Sequence, residues 1–260
     1  MAFLSRNDLD IYYGVHGQGD PLLLIHGFGG TGHSDWKHQI PVFSKSFQVI
    51  APDLRGHGRT DHPEAISGPE FFDEATEDMG HLLKTLDGGR AHVCGFSMGS
   101  SIAAWLCLLE PSLVRSLILV SGAARVNRKI APGLFELWER MRDPDRIDHK
   151  WARTLSRLHG ADKWRHLLRN YASAVIARIE ADEEVAYSRG GEITCPTLIV
   201  QGSEDKLSPR LLSEELHASI PDSELVLLES EHWVPGLQPA AFNAVVLDFL
   251  RRRILSQVAI

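Results

Sequence analysis

Short continuous apolar runs alternate along this chain with longer stretches in which apolar residues recur every three or four positions. Pro21–Ile25, Phe47–Ala51, the residues leading into Gly95, Val114–Ser121, Pro196–Val200 and Glu224–Leu228 read as strands. Such runs suit a sheet covered on both faces. Leu9–Gly14, followed by Gly17, Gly19 and Asp20, reads as a further strand, expected at an antiparallel edge. Between the runs come amphipathic patterns. Phe72, Ala75, Met79, Leu82, Leu83 and Leu86 share one face of a helix predicted over 69–86, with Asp and Glu opposite. A short helix is predicted over 35–43, another opening at Pro209, and a last one over 239–251. Strands alternating with helices predict an α/β fold built on a mostly parallel sheet.

The alternation breaks near Ala124. From Arg125 to Arg189 no strand is evident, and helical stretches are interrupted at Pro132-Gly133, Asp143-Pro144 and His159-Gly160. Trp164, Leu167, Leu168, Tyr171, Val175, Ile176 and Ile179 keep the helical period. The pattern predicts a core of residues 1–124 and 190–260 with a helical cap, 125–189, inserted into it. Trp138 and Trp164 in that segment, and Trp233 beyond it, are candidate substrate contacts, although a large aromatic serves equally well in packing.

The chain has 260 residues and a net charge of −7 with its 13 histidines counted neutral. A chain of this length buries roughly three quarters of its unfolded surface, enough for one large core. Its positive residues are scattered, which argues against nucleic acid and toward a small-molecule substrate. Cys94, Cys107 and Cys195 form neither a disulfide framework nor a metal-spaced set, so reduced core thiols and a cytoplasmic setting are expected, with no metal or cofactor. No apolar run reaches the eighteen residues of a membrane span. Nothing in the pattern specifies an oligomeric state.

Chemistry concentrates in the stretch from Ala91 to Glu110, AHVCGFSMGSSIAAWLCLLE, which reads as strand, tight turn and helix. A strand reversing directly into a helix forces the apex residue, Ser97, into a sparsely populated conformation. The flanking backbones then pass so closely that only glycine fits at Gly95 and Gly99. The turn lifts Ser97 clear and sets its hydroxyl beside unpaired helix N–H groups. The glycine cluster His26-Gly27-Phe28-Gly29-Gly30, also just past a strand, can aim Phe28 N–H into the same place as Met98 N–H. Two converging donors make an oxyanion hole. Serine is a poor nucleophile without an imidazole to take its proton and a carboxylate to orient the imidazole. Only His232 among the histidines follows the last strand, and Asp205, preferred over its neighbour Glu204, follows the one before. Ser97, Asp205 and His232 thus form the candidate triad. In the Asp53–Thr60 loop, Asp53 and Arg55 are expected to pair and pin the chain.

His26-Gly27-Phe28-Gly29-Gly30, Asp53-Leu54-Arg55-Gly56-His57-Gly58, Gly95-Phe96-Ser97-Met98-Gly99, Gly202-Ser203-Glu204-Asp205 and Glu231-His232-Trp233-Val234-Pro235 together resemble the α/β-hydrolase superfamily, in its small serine hydrolase branch. The resemblance spans the chain and departs at Ser100, where many relatives have glycine. It implies an eight-stranded sheet with an antiparallel second strand, helices on both faces, and a cap after the sixth strand. It also implies an esterase or lactonase acting through Ser97. C–C bond hydrolases or lyases of dicarbonyl compounds share the motifs. They would need cap cations for a substrate carboxylate, for which Arg125, Arg128, Arg153, Arg157 and Arg165 are candidates. Some members of the fold are slow-turnover receptors instead.

Overall fold

A computed structural model describes residues 2–7, 9–62, 70–86, 89–123, 126, 128–180 and 189–258, the last five without side chains. Its strands are β1 (Ala2–Arg6), β2 (Leu9–His16), β3 (Asp20–Ile25), β4 (Phe47–Pro52), β5 (Ala91–Phe96), β6 (Val114–Val120), β7 (Thr197–Gly202) and β8 (Ser223–Leu228). Between and after them lie α1 (Gly32–Trp36), α2 (Ile40–Phe43), α3 (Phe71–Thr85), α4 (Met98–Leu109), α5 (Pro132–Met141), α6 (His149–His159), α7 (Trp164–Glu180), α8 (Arg210–Ser219), α9 (Val234–Leu237) and α10 (Pro239–Val258). The eight strands form one sheet in the order β1-β2-β4-β3-β5-β6-β7-β8. β2 runs antiparallel to both neighbours, and β3 to β8 are parallel.

The continuous apolar runs split by alternation. Leu23 and Ile25 of β3 and Leu117 and Leu119 of β6 enter one apolar cluster, while Leu22, Leu24, Ile118 and Val120 enter another. Successive side chains on a strand point to opposite faces, so a strand covered on both sides must be apolar throughout. The first cluster packs against α3 and α4, and it continues through Phe135, Trp138, Leu155, Trp164, Leu168 and Tyr171 of α5–α7. The second is closed by Trp36, Phe43, Phe242 and Phe249 from α1, α2 and α10.

Several expectations are corrected. β2 is an interior strand, because Ala2–Arg6 adds an outer one paired from Ala2↔Tyr13 to Arg6↔Leu9. The segment 35–43 holds two short helices, α1 capped by Thr31, whose hydroxyl accepts from Ser34 N–H. α3 begins at Phe71, and the expected start at Pro69 lies outside the described residues. The boundary of the 125–189 segment at Arg125 does too, whereas Arg189 is described. Asp53 does not pair with Arg55. Arg55 instead sends Nε and Nη2 to Asp78 at 2.7 and 3.0 Å and Nη1 to Glu74. Asp53 accepts from Gly32 N–H and Arg59 N–H, both at 2.9 Å. All three cysteines are buried free thiols, and Cys107 Sγ lies 3.4 Å from Cys195 Sγ. Among the described residues no helix is long and apolar enough to cross a membrane.

Candidate active site

β5 runs into α4 through a single residue, Ser97, with φ 52° and ψ −116°. An L-residue in this region is strained, and such strain persists only where the surroundings over-determine it. Here the close backbone passage supplies that constraint. A Cβ on Gly95 would lie 2.1 Å from Gly99 O, and one on Gly99 would lie 2.4 Å from Ile25 O. Ser97 N–H is anchored to Val120 O at 2.9 Å, so the apex is tied to the end of β6.

Two further strand ends converge on this serine. Past β8, His232 places Nε2 2.9 Å from Ser97 Oγ and Nδ1 2.7 Å from Asp205 Oδ2. Nδ1–H donates to the carboxylate, which leaves Nε2 free to accept the serine proton. Past β7, Asp205 is saturated with donors. Its Oδ1 accepts from Leu207 and Ser208 N–H, each at 2.9 Å, and its Oδ2 also accepts from Gln201 Nε2 at 3.0 Å. Four donors on one buried carboxylate fix its position and orientation beside the imidazole. Glu204, the other acid considered, is exposed. Phe96 packs against the His232 ring at 5.3 Å, and Ser121 Oγ donates to His232 O at 2.8 Å.

The glycine loop after β3 lies beside the serine turn, as the contact of the Gly99 position with Ile25 O and His26 O requires. Met98 opens α4, and among the described residues neither its N–H nor that of Phe28 has a protein acceptor. Three buried histidines underlie the loop. His26 Nδ1–H donates to Gly27 O at 2.7 Å while its Nε2 accepts from Leu54 N–H at 2.9 Å. His57 donates from Nδ1 to Arg55 O at 3.0 Å, and its Nε2 faces Gly29 N–H at 3.4 Å. His159 accepts from Gly58 N–H at 2.9 Å and donates from Nε2 to Gly29 O at 3.0 Å. Burial pushes His26 and His159 down to about 4 and His57 well below its ordinary value, so all three are neutral donor-acceptor bridges. Half-buried Asp35 accepts Gly27 N–H at 3.0 Å, and desolvation raises its carboxyl to about 7.

The candidate substrate contacts are scattered. Trp138 and Trp164 are 5% and 4% exposed and belong to the apolar core. Trp233 follows His232, with Lys37 Nζ 5.4 Å from its ring centre. Arg128 faces Glu139 and Arg165 faces Asp145, each at 3.7 Å. Arg153 and Arg157 are exposed, and Arg125 lies outside the described residues. Tyr171, which the pattern marked only as a helix-face residue, stacks on Phe28 at 4.1 Å and 16°. No sequence signal marked Ser121, Gln201, Asp35 or His159 for this neighbourhood: Ser121 and His159 meet partners distant along the chain, and Gln201 and Asp35 meet theirs across loops whose course the pattern does not give.

Comparison with known proteins agrees with the architecture. A family model described as alpha/beta hydrolase fold matches residues 20–150. RutD of Azorhizobium caulinodans, a protein named for carbamate hydrolysis, is 30% identical over 96% of this chain and 98% of its own. A protein named 3-oxoadipate enol-lactonase 2, from Acinetobacter baylyi, is 28% identical over 96% of each chain. A solved hydrolase from Pseudomonas aeruginosa PA01 superposes with a TM-score of 0.77 at 26% identity, covering 96% of this chain and 97% of its own. With the strand order, the serine turn and these likenesses in agreement, this chain belongs to the alpha/beta hydrolase fold family.

Proposed function

We propose that this protein is a serine hydrolase that cleaves a carboxylic ester or lactone of a small organic substrate through an acyl-Ser97 intermediate. The observation that carries the reading is the continuous chain Ser97 Oγ, His232 and Asp205 at 2.9 and 2.7 Å, raised on a strained turn. His232 Nε2 takes the Ser97 proton as Oγ attacks the carbonyl, and Asp205 stabilises the imidazolium that forms. Phe28 and Met98 N–H groups receive the oxyanion. His232 then returns the proton to the leaving alcohol, and water repeats the sequence to release the acid. No cofactor is needed for this chemistry.

The relatives' names, an enol-lactonase and a protein named for carbamate hydrolysis, support acyl transfer from a carbonyl bearing a heteroatom leaving group. Of the arginines considered for a substrate carboxylate, Arg128 and Arg165 already face acids, which leaves Arg153 and Arg157 as the exposed candidates that the C–C bond alternative would use. In this reading the segment 125–189 is a cap that closes over the serine and shapes the pocket. Buried free thiols suit a cytoplasmic setting.

Fluorophosphonate labelling with peptide mapping tests the reading. Stoichiometric modification of Ser97 in the wild type, absent in His232→Ala, is expected. A folded wild type that takes no label, and turns over neither p-nitrophenyl acetate nor a simple lactone, would sink it.

A further inference from the structure

The loop carrying Phe28 is held from two sides, and one of them is the helical segment between β6 and β7. His159, the last residue of α6, is 2% exposed and uses both ring nitrogens on backbone of the core: Nδ1 accepts from Gly58 N–H at 2.9 Å, and Nε2–H donates to Gly29 O at 3.0 Å. It bridges the loop after β4 to the loop after β3, which also meet through Gly32 N–H on Asp53 and Leu54 N–H on His26, both at 2.9 Å, while at Gly29 the other link is the longer contact of its N–H with His57 Nε2 at 3.4 Å. Gly29 has φ +74°, and a Cβ there would lie 3.1 Å from Leu155 Cδ2 and 3.8 Å from Trp151, so α6 also lies directly against this residue. From α7, Tyr171 stacks on the Phe28 ring at 4.1 Å, while His57 meets that ring edge-on at 5.5 Å.

We propose that His159 is a positioning residue for the oxyanion hole, through which docking of the α5–α7 segment sets the orientation of Phe28 N–H. This rests on the serine hydrolase reading for its catalytic consequence, though not for the structural link. Phe28 N–H lies in the Gly27–Phe28 peptide plane and Gly29 O two planes further on, so the His159 bond to Gly29 O restrains the backbone on the C-terminal side of Phe28, on whose dihedrals the aim of its N–H depends. An oxyanion donor contributes only when aimed where charge develops, and misplacement by about 1 Å can cost on the order of 10²-fold in rate. The His26 bonds to Gly27 O and Leu54 N–H hold the plane that carries Phe28 N–H from its N-terminal side, by the core alone. His159 adds the restraint that depends on the inserted helices.

The test pairs His159→Ala with His159→Gln in the full chain; the glutamine amide can still donate toward Gly29 O. Amide hydrogen exchange followed by peptic mapping reads the loop without any substrate. Exchange across residues 24–31 is expected to rise about tenfold or more in His159→Ala and less in His159→Gln, with α10 unchanged. On p-nitrophenyl acetate, kcat is expected to fall about 10- to 100-fold in His159→Ala and less in His159→Gln, with KM within about twofold. Inhibition by a phenylboronic acid, which forms a tetrahedral adduct, should weaken in parallel. A residue that merely packs would lower the melting temperature and leave kcat and boronate affinity intact in the folded protein. Unchanged loop exchange, unchanged kcat, or a rise in KM alone would overturn the proposal, and His159→Gln decides should the alanine variant fail to fold. A wild type inert to ester and label sinks the hydrolase reading, and loop exchange then still decides the structural link.

Discussion

Ser121 Oγ donates to the carbonyl of His232 at 2.8 Å, joining the residue after β6 to the loop after β8. Ser121 itself has φ +51°, a left-handed conformation rare for a residue with a side chain, and its N–H is tied to Val200 O at 2.9 Å. The bond steadies His232 from its backbone side, opposite the ring contacts with Asp205 and Ser97. Ser121→Ala removes one hydrogen bond of about 1 kcal/mol, so a loss of roughly fivefold in kcat/KM is expected. Steady-state kinetics on a p-nitrophenyl ester measures it, and an unchanged value would show that Asp205 and Phe96 alone hold the ring.

Replacing Ser97 separates strain from chemistry. Ser97→Ala and Ser97→Gly should both lose on the order of 10⁴-fold or more in kcat. They should differ in stability, because at φ 52° glycine escapes the penalty that alanine retains. The glycine variant is expected to be more stable than the alanine variant by about 1 kcal/mol in urea denaturation. Equal midpoints would mean that the turn stores no strain.

Acid should destabilise the fold through its buried imidazoles. His26, His92 and His159 are pushed down to about 4 by burial, below an unfolded value of about 6.5. Between those limits the unfolded chain binds the extra protons, so stability rises with pH through the window and is lost as pH falls from about 6.5 toward 4. Each group contributes at most on the order of 3 kcal/mol. The urea midpoint should therefore drop steeply between pH 6.5 and 5.

Asp35 runs the other way. Its carboxyl, raised to about 7, favours the folded state below about 4, and that contribution is lost as pH rises toward 7. Asp35→Asn should gain stability relative to the wild type between pH 5 and 7, with the difference constant above. A difference that is flat across this range would place the ordinary carboxylate value on Asp35.

Asp78 anchors the loop that Asp53 and Arg55 do not pin by pairing. It is 1% exposed at its side chain and receives Arg55 through two nitrogens and Arg6 Nη1 at 2.8 Å. Asp78→Ala leaves the Arg55 guanidinium, itself 7% exposed, with only Glu74 as acid partner. Breaking a buried pair from one side costs about 3–5 kcal/mol, a loss readable by chemical denaturation.

Much of this protein was legible in its sequence for local reasons. A strand between two layers must be apolar on both faces, so PLLLI and LILV announce themselves. A turn that passes backbone against backbone admits only glycine at Gly95 and Gly99, and this isolates Ser97 without any alignment. Local order also placed Asp205 and His232 just past strand ends. β1 stayed hidden because AFLSR is five residues long and shows no alternation of polarity, and its pairing with β2 lies in the register. What only the tertiary structure decided is the set of partners far apart along the chain: Arg55 with Asp78 rather than Asp53, Cys107 beside Cys195, Ser121 beneath His232, and His159 reaching Gly29 and Gly58. A hydrogen bond depends on two positions being brought within about 3 Å, and no single stretch of sequence encodes that distance.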